Sequence, residues 1–202
     1  MKVISPFGPK IAKLKFSSRL IKIINSEVDK IVSKKRLIKK FDYSNKLVGQ
    51  VKQELQLPKK FIKKNLEKTI NNEVKRYIDK SLGKKINKIL IKNFWVVRQF
   101  NNEYNPIHYH DGHISGVGYL KLPKLISKNK KKTNIDGTID FISGNKMFLS
   151  ESIHNHQPKV GDVLLFPNYL MHTVYPFSNT DEERRSISFN ANIDEDIYNV
   201  YS

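Results

Sequence analysis

Apolar residues recur along this chain with two different periods, and the change from one to the other falls near Ile86. Before it, residues 10–16 alternate apolar and basic positions, as an edge strand does. A helix is predicted from Ser17 or Ser18, either a suitable N-cap, with Leu20, Ile24, Val28 and Ile31 on one face. Residues 33–56 are polar and read as irregular, with a turn at Gly49. A second helix is predicted after Pro58, carrying Ile62, Leu66, Ile70, Val74 and Tyr77 or Ile78 as its apolar stripe and stopping at Gly83.

From Ile86 onward the period shortens to 2. Residues 88–100 are rich in β-branched and aromatic side chains, and Trp95, the single tryptophan, is read as core. Short apolar runs follow at 114–122, 135–142, 162–166 and 186–193, cut by Gly, Pro and Asn. Strands at this spacing predict an antiparallel sandwich or barrel. The lysine-rich stretch 128–133 reads as an exposed hairpin loop. Neither an internal repeat nor a separating linker is evident, so one structural domain is expected. Within it, residues 1–85 form a helical and strand extension packed on a β core of residues 86–202, with the helices outside the sheet.

Charge changes this picture only in part. The chain of 202 residues carries a formal charge of +18. Residues 1–100 hold 27 Lys+Arg against 7 Asp+Glu, and residues 101–202 hold 10 against 12. A basic face invites nucleic acid or an acidic partner. Lysine far outnumbers arginine, however, whereas a surface built to fork phosphates favours arginine. Such a partner is therefore not the favoured reading. No run approaches the roughly 18 apolar residues of a membrane span, and the first 16 residues lack a secretory pattern, so a cytoplasmic protein is expected. Cysteine is absent, so a metal would be held by imidazole and carboxylate.

All six histidines, His108, His110, His113, His154, His156 and His172, lie in the half that is slightly acidic. The spacing His108-x-His110 puts two imidazoles on one face of a strand, as neighbouring ligands of a metal require. His172 lies far downstream, after a Gly161 turn that feeds an apolar run ending at Pro167, and a sheet folded back on itself can bring it beside the pair. His113 reads as a turn residue in preference to a substrate-facing base. His154 and His156 repeat the spacing but precede a loop-like Gln157-Pro158, which makes them a weaker, rival pair. Farther on, Arg184, Ser186, Ser188 and Asn190 would share one strand face, with Arg185, Ile187, Phe189 and Ala191 on the other. A row of guanidinium, hydroxyls and amide suits a pocket that receives a carboxylate.

With these blocks in view, the sequence resembles the iron(II)- and 2-oxoglutarate-dependent oxygenases, and within them a subgroup common in marine bacteria and phages. The resemblance rests on His108-x-His110 followed by Ser115-Gly116-Val117-x-Tyr119-Leu120, on residues 161–167 leading to His172-x-Val174-x-Pro176, and on Arg184-x-Ser186-Ile187-Ser188-Phe189-Asn190. It covers about residues 90–193. It implies a mainly β double-stranded β-helix of jelly-roll or cupin-like form, with Fe(II) held by the first motif and His172. It also implies 2-oxoglutarate anchored by Arg184 with Ser186 and Tyr119, and oxidative decarboxylation by dioxygen coupled to hydroxylation of a substrate. Arg98, Asn105 and Asn190 are candidates for lining the substrate's side.

The first motif departs from the superfamily's usual His-x-Asp or His-x-Glu of a two-histidine, one-carboxylate site. Three ligand sets stay open: His108, His110 and His172; two histidines with Asp111 as substitute; or two histidines and water. The departure also leaves room for a cupin-type three-histidine metalloenzyme that does not use 2-oxoglutarate. A basic binding module with an inert barrel is the remaining reading.

Overall fold

The period-2 segments form two antiparallel sheets in the computed structural model, which describes residues 1–6, 8–124, 135–178 and 180–199. Numbered in chain order, the larger sheet runs β1 (Lys2–Ile4), β2 (Ile11–Lys15), β9 (Asp162–Pro167), β6 (Ile114–Lys121), β11 (Arg184–Ile193), β4 (Ile89–Gln99), β3 (Gln53–Gln56). The smaller sheet runs β5 (Asn105–His108), β10 (Met171–Val174), β7 (Ile139–Ile142), β8 (Ile153–His156). Among the described residues five α-helices and one 3-10 turn, Ser44–Lys46, complete the fold: α1 (Ser18–Val32), α2 (Lys35–Phe41), α3 (Lys59–Asn65), α4 (Glu67–Leu82) and α5 (Glu195–Tyr198). Among the described residues no helix is long and apolar enough to cross a membrane.

Strand alternation gives the larger sheet two different faces. On its outer face Ile187 and Phe189 of β11, with Phe94 and Val96 of β4, join Ile24, Val28 and Ile31 of α1 and Ile70 and Val74 of α4 in one buried cluster. On the inner face Val117 and Tyr119 of β6 and Leu164 and Phe166 of β9 meet Ile139 and Phe141 of β7. The Phe141 and Phe166 rings pack edge to face with centroids 4.9 Å apart. The inner cluster fills only part of the space between the sheets, and the remainder is a cavity.

Ser17 caps α1 by accepting a hydrogen bond from the Leu20 N–H, and Gly83 ends α4 with φ +67°. Elsewhere the structure differs from the pattern-based expectation. Residues 10–16 do not form an edge, because β1 adds outside β2. The stretch read as irregular holds α2 and β3, and the helix after Pro58 is broken at Leu66 into α3 and α4. His154 and His156 lie on a strand that the pattern does not predict, β8, which ends where the expected loop at Gln157-Pro158 begins. Three of the larger sheet's strands come from residues before 85. The expected loop 128–133 lies outside the described residues.

Gly116 shows how tightly the outer layer is fitted. A Cβ there would sit 2.3 Å from Phe189 Cε1. Gly116→Ala is therefore expected to destabilise the fold by about 1–3 kcal/mol, the usual cost of overpacking, read by urea denaturation.

Candidate metal and carboxylate site

Cross-strand pairing assembles the histidines. In the smaller sheet His172 of β10 lies opposite His108 of β5. The next turn, 109–113, is pinned where the His110 N–H donates to Asn168 O and Asn168 Nδ2 donates back to His110 O. These two constraints bring the candidate ligand atoms of His108, His110 and His172 within 4.8 Å of one another. The ring centroids lie 5.0, 4.3 and 4.9 Å apart for the pairs 108/110, 108/172 and 110/172.

Proton positions follow from the partners. His108 Nδ1 lies 2.7 Å from Pro106 O and His172 Nδ1 lies 2.9 Å from Leu170 O. A carbonyl only accepts, so both Nδ1 atoms carry the proton and both Nε2 atoms present lone pairs to the centre. Burial lowers the pKa of all three rings, with His110 brought to about 3 and His172 pushed well below its usual value, so they remain neutral donors. His172 Nε2 and His110 Nε2 are 3.2 Å apart. Two nitrogens each about 2.1 Å from one ion lie about 3.0–3.4 Å apart for angles between right and tetrahedral. The donor set therefore fits a divalent transition metal.

Asp111 is not part of this group. Its carboxylate is exposed, pairs with Lys92 and accepts from the Gly112 N–H. His113 is committed elsewhere: its Nδ1 accepts from the Ile193 N–H, and its ring stacks on Tyr198 at 3.8 Å. His156, lowered to about 4 chiefly by burial, lies 3.3 Å from the Asp162 carboxylate on the far side of Tyr119. Neither His154 nor His156 joins the cluster of three.

The cavity beside the three imidazoles, about 300 Å³, is lined by both sheets. Arg184, Ser186, Ser188 and Asn190 all face it from β11, while Arg185 turns to the outer face and binds Glu183 and Asp29. Arg184 is fully buried. Its Nε donates to Gly137 O and its Nη1 to Gln99 Oε1, but Nη2 has no partner. Its Cζ lies 5.1 Å from the Tyr119 ring centroid, and the buried Tyr119 hydroxyl has no partner apart from this guanidinium. Burial raises that hydroxyl to about 12, so it stays a donor. A buried guanidinium with no carboxylate beside it among the described residues, next to a phenolic hydroxyl, has the chemistry to receive an anion.

Of the residues expected on the substrate's side, Asn105 and Asn190 line the cavity. Asn190 is held by Ser115 Oγ, which donates to its Oδ1. Arg98 does not reach the cavity. It pairs with Arg185 across the strands and donates to Glu183 and Gln53, because alternation along β4 turns Val97 and Gln99 inward and Arg98 outward.

Sequence reasoning missed two residues here. Gln99 clamps Arg184, and its Nε2 donates to Glu103 O and Tyr175 O. Glu54 of β3 is 1% exposed, lines the cavity, and leaves Oε2 without a partner. Burial first, then the nearby Asp42 charge, raise Glu54 from 4.5 to about 7. The folded protein thus holds this proton more tightly than the unfolded chain. The associated stability is present below about 4.5, falls as pH rises to about 7, and stays lost above that. Glu54→Gln cannot ionise, so thermal melts should show it more stable than the parent near about pH 8.5 and little different below about pH 4.5.

Residues 93–190 match the model of the family described as "Putative 2OG-Fe(II) oxygenase". The matched segment holds His108, His110, His172 and Arg184, and the family it resembles uses Fe(II) and 2-oxoglutarate. No curated protein matches the chain by sequence. Among solved structures, a Trichoplax adhaerens prolyl hydroxylase in complex with a hypoxia inducible factor peptide fragment aligns with TM-score 0.63 at 14% identity, covering 95% of this chain and 87% of that one. A Pseudomonas putida prolyl-4-hydroxylase gives 0.58 at 12%, covering 91% of each chain. HygX from Streptomyces hygroscopicus with nickel and 2-oxoglutarate bound gives 0.57 at 12%, covering 92% and 82%. The shared fold is the double-stranded β-helix.

Proposed function

We propose that this protein is an Fe(II)- and 2-oxoglutarate-dependent dioxygenase that hydroxylates a C–H bond of its substrate, with His108, His110 and His172 holding the iron. The observation that carries this reading is the pairing, in one cavity, of three converging neutral imidazoles with a buried guanidinium that lacks an anion. Iron in that seat supplies oxygen activation coupled to oxidative decarboxylation of 2-oxoglutarate to succinate and carbon dioxide.

The chain's own residues do the rest. Three imidazoles bring no negative charge, so the site leaves the full charge of the ion to attract an anionic chelator, here the keto-acid end of 2-oxoglutarate. Arg184 binds the opposite carboxylate through its free Nη2, with Ser186 and the Tyr119 hydroxyl as further donors. Gln99 and Gly137 hold the guanidinium in place. Val117, Ile139, Val174 and Phe166 give the cavity apolar wall, which disfavours bulk water in it.

Succinate release on incubation with 2-oxoglutarate, dioxygen and Fe(II), absent without the metal, is the expected result. Metal binding indifferent to 2-oxoglutarate would instead favour a three-histidine enzyme that does not use it. Salt-sensitive binding of a polyanion with no metal uptake would favour a basic docking module.

A further inference from the structure

Buried carboxylates in this protein come with partners, with one exception. Asp162 faces Lys13, Lys15 and His156. Glu183 is bound by Arg98 and Arg185. Asp140 accepts from Asn155 and from the Tyr175 hydroxyl. Glu54 is as buried as any of these, yet no ammonium or guanidinium among the described residues pairs with its carboxylate.

Its position is equally specific. Pairing of β3 with β4 sets Glu54 opposite Val97, which in turn lies opposite Ser186, so one row of the sheet reads Ser186, Val97, Glu54 across the cavity floor. Two strand spacings separate Glu54 from Ser186, about 10 Å. The cavity thus has unpaired donors at the Arg184 end and an unpaired acceptor at the other, with the histidines also on its wall. Nearby, Asn105 offers a second unpaired buried acceptor, Oδ1.

The surroundings of Glu54 suit a cation. Tyr43, Trp95 and Tyr109 line the same cavity, and aromatic rings attract positive charge through their faces. Asp42 adds negative potential. Lys46 also lines the cavity, but its ammonium lies over the Tyr43 ring, 5.4 Å from the centroid, and makes no ion pair with Glu54. Gly49 keeps the approach open: a Cβ there would sit 2.9 Å from Glu54 Oε1 and 3.1 Å from Oε2, so any side chain would lie against the carboxylate.

We infer that Glu54 recognises the substrate, and that the molecule oxidised presents an ammonium or guanidinium nitrogen to its carboxylate. This deepens the oxygenase reading and rests on it. With 2-oxoglutarate occupying the Arg184 end, the cation fixes the substrate at the opposite end and leaves its neighbouring C–H bonds towards the histidines. Glu54 is a positioning residue here, and the bond oxidised lies a few atoms from the charged nitrogen.

Trp95, the sole tryptophan, lines the cavity and reports occupancy through its fluorescence. The full chain, loaded with Fe(II) and 2-oxoglutarate without oxygen at about pH 8.5, is titrated with agmatine, putrescine and Nα-acetyl-lysine methylamide, and with neutral isosteres such as Nα-acetyl-norleucine methylamide. At least one cation should bind about 10- to 100-fold more tightly than its neutral isostere, the worth of a charge-assisted bond in a buried site. Glu54→Gln should abolish that preference and Glu54→Asp should retain part of it. Equal binding of cations and isosteres, no response to any cation, or a preference that survives in Glu54→Gln would overturn the assignment. The 2-oxoglutarate charge-transfer band of the parent protein is recorded in the same samples. Its absence with the amine preference intact counts against the oxygenase reading alone, and its presence without that preference counts against Glu54 alone.

Discussion

His172→Ala is expected to abolish stoichiometric Fe(II) binding, as read by equilibrium dialysis with metal analysis of the retained protein. The residue is 3% exposed, its Nδ1–H is held by Leu170 O, and its Nε2 lies 3.2 Å from that of His110. Alanine therefore removes a donor whose direction is fixed, and the remaining two imidazoles both come from the one stretch 105–113. The loss should exceed the roughly 10- to 100-fold cost of removing a supporting hydrogen bond from a metal site. Asp111→Asn provides the contrast. Because that carboxylate is exposed and bound to Lys92, the substitution should leave iron affinity essentially unchanged, and a large loss would restore Asp111 as a ligand.

Arg184→Met should spare iron while raising the dissociation constant of 2-oxoglutarate by about 30-fold or more, as expected when one member of a buried charge-assisted pair is removed. Methionine keeps much of the side-chain volume, so the effect is read on the charge and not on a cavity. A thermal-shift titration separates the two possible roles of the residue. Binding to the native state alone stabilises it by mass action, so the parent should melt higher as 2-oxoglutarate is added. The variant should lose that increment. If Arg184 were only a structural prop, the variant would melt lower without ligand yet keep the full increment.

Much of this site could be read before any coordinates, because period-2 patterning is local. The alternation from Arg184 to Asn190 assigns one arginine inward and its neighbour outward, whereas the strand carrying His108 ends there and His110 reaches the cluster from the turn that follows, not from the same strand face. The distant partner His172 was reachable because it follows a clear apolar strand, β9. What escaped depends on pairing between distant segments. Gln53–Gln56 has three polar residues in four and no apolar alternation, so nothing local marks it as a strand. Only its pairing with β4 buries Glu54. Ile153–His156 is equally polar, and it becomes a strand by pairing with β7. The apolar and basic alternation of 10–16 could not reveal that a three-residue strand, β1, would cover its edge. Arg98, placed near the first motif by sequence distance, faces outward because β4 continues its alternation to the strand's end.

The double-stranded β-helix is shared with the solved oxygenase structures, and residues 93–190 match the oxygenase family model. The central claim about this chain is narrower: three histidines and one arginine act on a single ligand bridging them. Titrating 2-oxoglutarate into Fe(II)-loaded protein without oxygen, and following visible absorption, tests it most directly. A metal-to-ligand charge-transfer band is expected to saturate at one equivalent in the parent protein, to require far more 2-oxoglutarate in Arg184→Met, and to be missing in His172→Ala. A colourless titration of the iron-loaded parent, or a band of equal affinity in Arg184→Met, would contradict it.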